Sequence, residues 1–232
     1  MLSLLLRLSL IGAISYSFVF FSREFPKSFK QTRIAIALTV IIYSAILLFL
    51  TGFLTKREFS SFFSPEKMLT REMLLVILAQ TVLYSYVLMI AVWQNGVGEL
   101  LADFLSTFQT FQGLKKNLLA PFVEELVYRL SFHLLFDRES KLENFLFVFG
   151  STLCFSLSHP LGRGPPAILG LYTSVVLLKT ESIFGPVFLH SSCNILGGPP
   201  RIPTEFSDGR RRFLKGVLIA SLVSVPMIIA FI

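Results

Sequence analysis

Apolar runs of about 20 residues, separated by short charged stretches, constrain this chain more than any other feature. Leu2 to Phe21, Ile34 to Leu54 and Met73 to Trp93 are each close to the length at which an α-helix crosses the hydrocarbon core of a bilayer. Of the 232 residues, 53% are hydrophobic and 15% are charged, whereas soluble domains carry roughly 25% charged residues. A chain of this size has too little interior to bury so much apolar sequence, so we expect membrane lipid to be its second solvent.

The segments after Trp93 are predicted to be helices as well. In residues 94–117, apolar side chains recur at helical spacing between polar ones, which predicts an amphipathic helix. Asn117 is a candidate helix cap, and Pro121 is tolerated in a first turn, so the next helix is expected over Leu118–Phe136. Further helices, bounded by Gly and Pro, are predicted over Phe145 to His159, Ala167 to Leu178, Gly185 to about Gly197, and Phe213 to Ile232 with a kink at Pro226.

The predicted fold is therefore all-α: a polytopic integral membrane protein with about eight transmembrane helices. Within one integrated membrane domain, we divide the chain into N-terminal transmembrane and amphipathic helices (1–114), a core that holds the polar residues of interest (115–200), and a C-terminal loop and helix (201–232). If the N-terminus is lumenal, the loops that face the cytosol hold a modest excess of Lys and Arg, which weakly favours that orientation.

The net charge of +7 does not indicate nucleic acid, because the Lys and Arg residues lie mostly between the apolar runs, where a membrane protein meets lipid headgroups. No basic stripe with interleaved aromatic residues is present. Cys154 and Cys193 could form one bridge at most, and no CxxC motif occurs. Both cysteines lie in apolar segments without a neighbouring cation, which argues against a reactive thiolate.

Ionisable residues inside apolar helices are the candidates for function, since a charge at the centre of a bilayer costs about 2.5–3.5 kcal/mol or more. The helix Leu118–Phe136 contains Glu124, Glu125 and Arg129. Glu125 and Arg129 are four residues apart, so they share a face and can pair. Glu124 lies about 100° away and has only Tyr128 at the next turn, which makes it the candidate general base or acid. The plainer alternative is that all three form one structural polar cluster.

The three histidines lie in or near the later helices. Phe155 and His159 are one turn apart, so the aromatic ring could pack beside the imidazole. His190 and Asn194 share a helix face and could donate two hydrogen bonds to one oxyanion, although hydrogen bonding between helices would explain them equally well. His133 is expected to be interfacial. Two alternative chemistries stay open: a metal site built from Glu124, His159 and His190, although no His-Glu-x-x-His string occurs, and a Cys193 nucleophile.

Three of these segments, in this order, resemble the motifs of the CPBP intramembrane proteases, and in particular the type II CAAX prenyl endopeptidases. Residues 124–129 (Glu-Glu-Leu-Val-Tyr-Arg) match the EExxxR motif, residues 155–159 match FxxxH, and residues 190–194 match HxxxN. The resemblance extends over roughly residues 115–200 and includes the phrases at 120–129, 170–173 and 185–194. Residues 1–114 carry no motif of this family.

The resemblance implies a helical bundle around an intramembrane catalytic cavity. It implies a glutamate-dependent, metal-independent endopeptidase without a cofactor, which removes the C-terminal tripeptide from farnesylated or geranylgeranylated CaaX proteins such as small GTPases. Glu124 and His159 would activate water, His190 and Asn194 would stabilise the oxyanion, and Glu125 and Arg129 would support Glu124. It also implies the endoplasmic reticulum membrane as location, with the site open to the cytosol.

This sequence departs from the family at Pro160, Leu161 and Gly162, where relatives often have further histidines, and in the short 161–166 connection. These departures bear on substrate range. One alternative is therefore a CPBP protease with a non-prenyl substrate, such as one for bacteriocin maturation or immunity. A non-enzymatic membrane scaffold or transporter with structural buried charges is the other. The sequence indicates neither the oligomeric state nor the particular substrates.

Overall fold

A computed structural model describes residues 60–68, 70–136, 140–159, 164–197 and 202–231, together with isolated positions between 42 and 52. In this part of the chain every regular element is a helix or a helical turn and none is a strand, which confirms the all-α prediction. The predicted helix Leu2 to Phe21 lies outside the described residues, and so does almost all of Ile34 to Leu54.

The first long helix, α1, spans Arg71–Gln109, after two short 3₁₀ turns at Ser60–Phe63 and Pro65–Met68. The Thr70 hydroxyl caps α1 by accepting a hydrogen bond of 3.2 Å from the Met73 amide. Gly96 interrupts the helical backbone with φ 81°, a conformation that glycine adopts without a steric penalty. The chain therefore breaks close to the predicted boundary after Trp93, and a second, amphipathic stretch follows.

Of the described residues, one stretch, Pro65–Gln109, is long and apolar enough to cross a membrane by length and composition. The number of spans, predicted as about eight, stays a prediction.

The segment that carries Glu124 and Arg129 is helical but twice departs from α geometry. It consists of α2 (Phe111–Leu114), a π-helical turn (Lys115–Leu119), α3 (Ala120–Glu125), a second π-helical turn (Leu126–Leu130) and α4 (Ser131–Leu135). The prediction that Asn117 caps a helix is wrong: helix begins at Phe111, where the Thr110 hydroxyl accepts a 3.0 Å hydrogen bond from the Gly113 amide. Asn117 is buried inside the first π turn instead.

Four further helices follow near the predicted positions, and each extends somewhat beyond the apolar run that predicted it. They are α5 (Lys141–Ser158), α6 (Gly164–Thr180), α7 (Phe184–Leu196) and α8 (Asp208–Phe231), which contains Pro226. With 13 residues, α7 is about 20 Å long, so it is shorter than the roughly 30 Å hydrocarbon core of a bilayer.

The described residues divide into two compact units, those that lie within 1–64 and 122–186 and those that lie within 65–121 and 187–232. In the first unit, α5 and α6 pack along each other, and the π turn Leu126–Leu130 contacts both. In the second unit, α1 packs along α8.

His133 belongs to the core of the first unit. Its side chain is 2% exposed, and its ring makes edge contacts with Phe62 and Phe147, at centroid distances of 5.4 and 5.0 Å. The prediction that His133 is interfacial is therefore wrong. The sequence did not reveal this because both aromatic partners are distant along the chain.

The core of the second unit is aromatic where α1 meets the start of α8. Tyr86, Ile90, Phe206 and Leu214 form its buried centre. Trp93 lies beside it, with its ring centroid 6.0 Å from the centroids of both Phe206 and Phe213.

The contact between α5 and α6 depends on a residue without a side chain. A Cβ atom at Gly170 would lie 3.3 Å from Phe155 Cδ1 and 3.3 Å from Thr152 Cα, whereas a Cβ atom at Gly150 would meet nothing within 4 Å. We predict that Gly170→Leu lowers the free energy of unfolding by about 1–3 kcal/mol or more through overpacking, while Gly150→Leu has little effect. Unfolding of both variants by SDS in mixed micelles measures this, and equal stability of the two would contradict the packing.

Candidate active site

The adjacent carboxylates Glu124 and Glu125 lie in different environments. The Glu125 side chain is fully buried, while that of Glu124 is 21% exposed. This follows from helical geometry, since neighbouring residues on a helix point about 100° apart. Of the two, Glu124 is therefore the carboxylate that a water or a substrate can reach.

Arg129 is fully buried and contacts four groups. Its Nε lies 3.2 Å from the Glu125 carboxylate, the i, i+4 pair predicted from the sequence. The same nitrogen donates a 2.7 Å hydrogen bond to the Thr173 hydroxyl, and Nη1 donates one of 3.0 Å to the Ser151 hydroxyl. The guanidinium carbon also lies 4.5 Å from the centre of the Phe155 ring. A buried ion pair is tolerated when further hydrogen bonds stabilise its ions, and here two other helices supply such bonds to Nε and Nη1 of Arg129.

The π turn Leu126–Leu130 lies within the motif that carries these charges. It is closed by the Ser131 amide, which donates to the Leu126 carbonyl five residues earlier. The Ser151 hydroxyl donates a 2.6 Å hydrogen bond to the Tyr128 carbonyl inside this turn. Ser151 therefore binds both the backbone and the arginine of the motif. π-helical turns of this kind occur frequently at functional sites.

His159 follows the last residue of α5, and its ring is held on one side. Its Nδ1 lies 2.8 Å from the Phe155 carbonyl and 3.2 Å from the Ser158 hydroxyl. Because a carbonyl only accepts, the hydrogen bond to Phe155 requires a proton on Nδ1, which leaves the lone pair of a neutral ring on Nε2. The Phe155 and His159 rings pack with centroids 4.5 Å apart, as the motif spacing predicts.

Glu124 and His159 come together in the first unit. His159 Nε2 lies 3.8 Å from Glu124 Oε2, and the two side chains are 35% and 21% exposed. This separation is longer than a direct hydrogen bond. Oε2 itself is shielded from solvent, so a water that binds both groups has to approach through the exposed part of the Glu124 side chain. The pair can therefore polarise a water and accept its proton.

His190 and Asn194 lie one turn apart on α7, in the second unit, so the predicted shared face is present. His190 is buried, and Asn194 is partly exposed. Asn194 Nδ2 donates a 2.9 Å hydrogen bond to the Lys116 carbonyl. One of the two Nδ2 hydrogens of Asn194 is thus bonded to the Lys116 carbonyl, and the other is available to a ligand.

The Lys116 carbonyl needs this donor because of Pro121. In an α-helix the Ala120 amide would donate a hydrogen bond to the Lys116 carbonyl. In the π turn Lys115–Leu119 it donates to the Lys115 carbonyl instead. The next donor in π register would be residue 121, and proline has no amide hydrogen. The Asn194 side chain therefore supplies the missing donor.

Sequence analysis missed three residues of this arrangement: Ser151, Thr173 and Ser158. They are small hydroxyl residues within apolar helices, where they usually bond to their own backbone. The available signal was that Ser151 and Thr173 lie in largely apolar stretches of α5 and α6. Their partner could not be identified without knowledge of how α5 and α6 pack on Arg129.

In the described part of the chain, no three His, Cys, Asp or Glu side chains are grouped so that they could hold a metal ion together. Cys154 and Cys193 do not form a disulfide bond with each other.

The Glu125–Arg129 pair gives a prediction for stability. Arg129→Met leaves a carboxylate in an apolar interior, so we expect the free energy of unfolding to fall by about 3–5 kcal/mol. The double variant Glu125→Leu/Arg129→Met removes both charges and is expected to recover most of that loss. SDS-induced unfolding of the single and double variants measures the coupling, and simple additivity of the two losses would refute it.

Comparison with known proteins bears on the segment that carries these residues. The family model described as type II CAAX prenyl endopeptidase Rce1-like matches residues 106–196, which is less than half of the chain and includes every site residue named above. No curated protein and no solved structure matches the chain. This family consists of membrane-embedded proteases. The resemblance indicated by the three motifs is therefore confirmed by the family model, to which residues 106–196 of this chain are similar.

Proposed function

We propose that this protein is an intramembrane endopeptidase that removes the C-terminal tripeptide from farnesylated or geranylgeranylated CaaX proteins. The observation that carries the proposal is the approach of Glu124 to His159 at 3.8 Å, inside a segment that matches the Rce1-like family. Both groups are partly exposed, and each is oriented by a neighbour, Glu124 by its helix position beside the buried ion pair and His159 by the Phe155 carbonyl.

In the proposed reaction, a water bound between Glu124 and His159 attacks the backbone carbonyl carbon of the prenylated cysteine. A C–O bond forms, Glu124 accepts the water proton, and the carbonyl oxygen becomes an oxyanion. When the intermediate collapses, the C–N bond breaks and Glu124 returns the proton to the leaving amine. The products are a new carboxylate on the prenylcysteine and a free tripeptide. His159 keeps its Nδ1 proton throughout and uses Nε2 to orient the water.

His190 and Asn194 are proposed to stabilise the oxyanion. A rigid helix carries both groups one turn apart, and the bond from Asn194 to the Lys116 carbonyl holds that amide in place while one N–H remains. Donors that are already fixed before the charge develops need no reorganisation during the reaction, and one such donor is worth about 10²–10³ in kcat.

Placement in a membrane suits this substrate class. A prenyl chain partitions into lipid with about 0.8 kcal/mol per buried CH₂, so the bond to be cut is delivered to the bilayer surface. We further propose the endoplasmic reticulum membrane as location, with the site open to the cytosol where prenylated proteins such as small GTPases arrive. Eight spans and a cavity inside the bundle belong to the same proposal.

The proposal predicts that cleavage depends on one carboxylate. For the protein reconstituted in liposomes with a fluorogenic farnesylated CaaX peptide, we expect Glu124→Gln to reduce kcat at least about 10²-fold, through loss of the general base. Glu99→Gln, at an exposed carboxylate of α1, serves as the matched control and should retain activity. Cys193→Ser and a zinc chelator should also leave cleavage unchanged.

Three results would contradict the proposal, and each would favour a different alternative. Equal cleavage of the unmodified peptide would favour a protease with a non-prenyl substrate. Loss of activity on chelation, restored by zinc, would favour a metal site at Glu124 and His159. Absence of cleavage by wild-type protein, alongside an active relative under the same conditions, would favour the scaffold alternative.

Asn194 gives a second prediction, because its structural and catalytic roles are separable. Asn194→Ala should cost about 1 kcal/mol of stability through the lost bond to Lys116, yet lower kcat by about 10²–10³ with little change in KM. Ser192→Ala, on the same helix, is the control. If the loss of activity merely equals the fraction of unfolded protein, the oxyanion role of Asn194 is refuted.

A further inference from the structure

The start of α8 carries a second polar feature, which the protease proposal does not use. A cavity of about 630 Å³ opens there, lined by Ile202, Asp208, Arg211, Arg212 and Lys215. The four charged residues are spaced i, i+3, i+4 and i+7, so one face of α8 presents them all to the same space. The volume lies within the range of small-molecule sites.

The cavity has a net positive charge that the protein does not neutralise. Arg211 forms an ion pair with Asp208. Among the described residues, no carboxylate lies within ion-pair distance of Arg212 or Lys215, and both of these side chains are exposed. Two cations, together with the arginine of the pair, therefore line one concave surface, and such a surface favours an anion with several oxygens.

The neighbouring face of α8 indicates where this cavity lies. Arg210 places its guanidinium 5.4 Å from the centre of the Trp93 ring, and Trp93 also packs against Phe206 and Phe213. Trp is enriched where a membrane protein crosses from lipid to water. From Val217 onward α8 is apolar apart from serines, so the cavity lies on the polar side of this aromatic group, at the level of the lipid headgroups.

We propose that this cavity binds the phosphoryl headgroup of an anionic phospholipid. Arg212 and Lys215 would contact the phosphate oxygens, Arg211 would share its charge between Asp208 and the ligand, and the acyl chains would lie along the apolar part of α8. A basic cluster next to an apolar helix is the pattern by which membrane proteins retain such lipids. This inference concerns the second unit alone and does not depend on the protease activity.

Lipid retention by the full chain in neutral detergent tests the proposal. Native mass spectrometry compares dioleoyl phosphatidic acid with dioleoyl phosphatidylcholine, which has the same chains and no net charge. We expect preferential binding of phosphatidic acid, weakened by about 10-fold or more in Arg211→Gln/Arg212→Gln/Lys215→Gln. The control Arg71→Gln/Lys141→Gln/Lys179→Gln removes the same charge at exposed sites elsewhere and should bind as the wild type does.

Three outcomes would overturn the assignment. The first is equal retention of the two lipids by wild-type protein, and the second is an equal loss of phosphatidic acid in the two triple variants. The third is displacement of phosphatidic acid by millimolar inorganic phosphate, which would assign the cavity to a soluble anion. Because the three altered side chains are at least partly exposed, the variants should fold, and their SDS-unfolding curves check this directly.

Discussion

The burial of Arg129 is the constraint on which the rest of the candidate site depends. A guanidinium without water requires a counterion and hydrogen-bond acceptors. Here Glu125, Thr173 and Ser151 supply them at Nε and Nη1, and the Phe155 ring packs against the group. These partners come from three helical segments, so satisfying one cation fixes how those segments pack. It also separates the two adjacent glutamates by environment, because one is committed to the ion pair while the other faces a partly open space beside His159.

The irregular backbone of the segment follows a similar logic. Two π-helical turns alter which carbonyls are paired, and a polar side chain from another helix bonds to a carbonyl in each turn. Ser151 bonds to the Tyr128 carbonyl, and Asn194 bonds to the Lys116 carbonyl that Pro121 cannot serve. A carbonyl without a hydrogen-bond donor costs free energy in an apolar environment, so the bonds to these two carbonyls hold the Ser151 and Asn194 side chains in place. Residues that complete the fold in this way are suited to hold reactive groups in fixed positions.

The sequence predicted the helical class, the Glu125–Arg129 pair and the packing of Phe155 on His159, because all three follow from spacing along a single helix. It also predicted the resemblance that the family comparison confirms. It placed Asn117 and His133 wrongly. The His133 error arose because its aromatic pocket is formed by Phe62 and Phe147 on other segments, which local periodicity does not reveal. The Asn117 error arose because the helix already begins at Phe111, behind the Thr110 cap.

The cations of this chain lie in two contrasting environments, one buried among helices and the other exposed at the start of α8, and the cost of placing a charge in lipid explains the contrast. Arg129 loses all contact with water, and a counterion and two hydroxyl acceptors fix its position. Arg210, Arg211, Arg212 and Lys215 lie where the apolar part of α8 begins, and they keep exposed surface because headgroups and water can solvate them. A buried cation thus determines how the surrounding helices pack, whereas a group of cations at the headgroups determines how deep its helix lies in the bilayer. For the proposed protease, the buried cation would keep the site of the first unit rigid, and the exposed cations would anchor the second unit at the lipid headgroups.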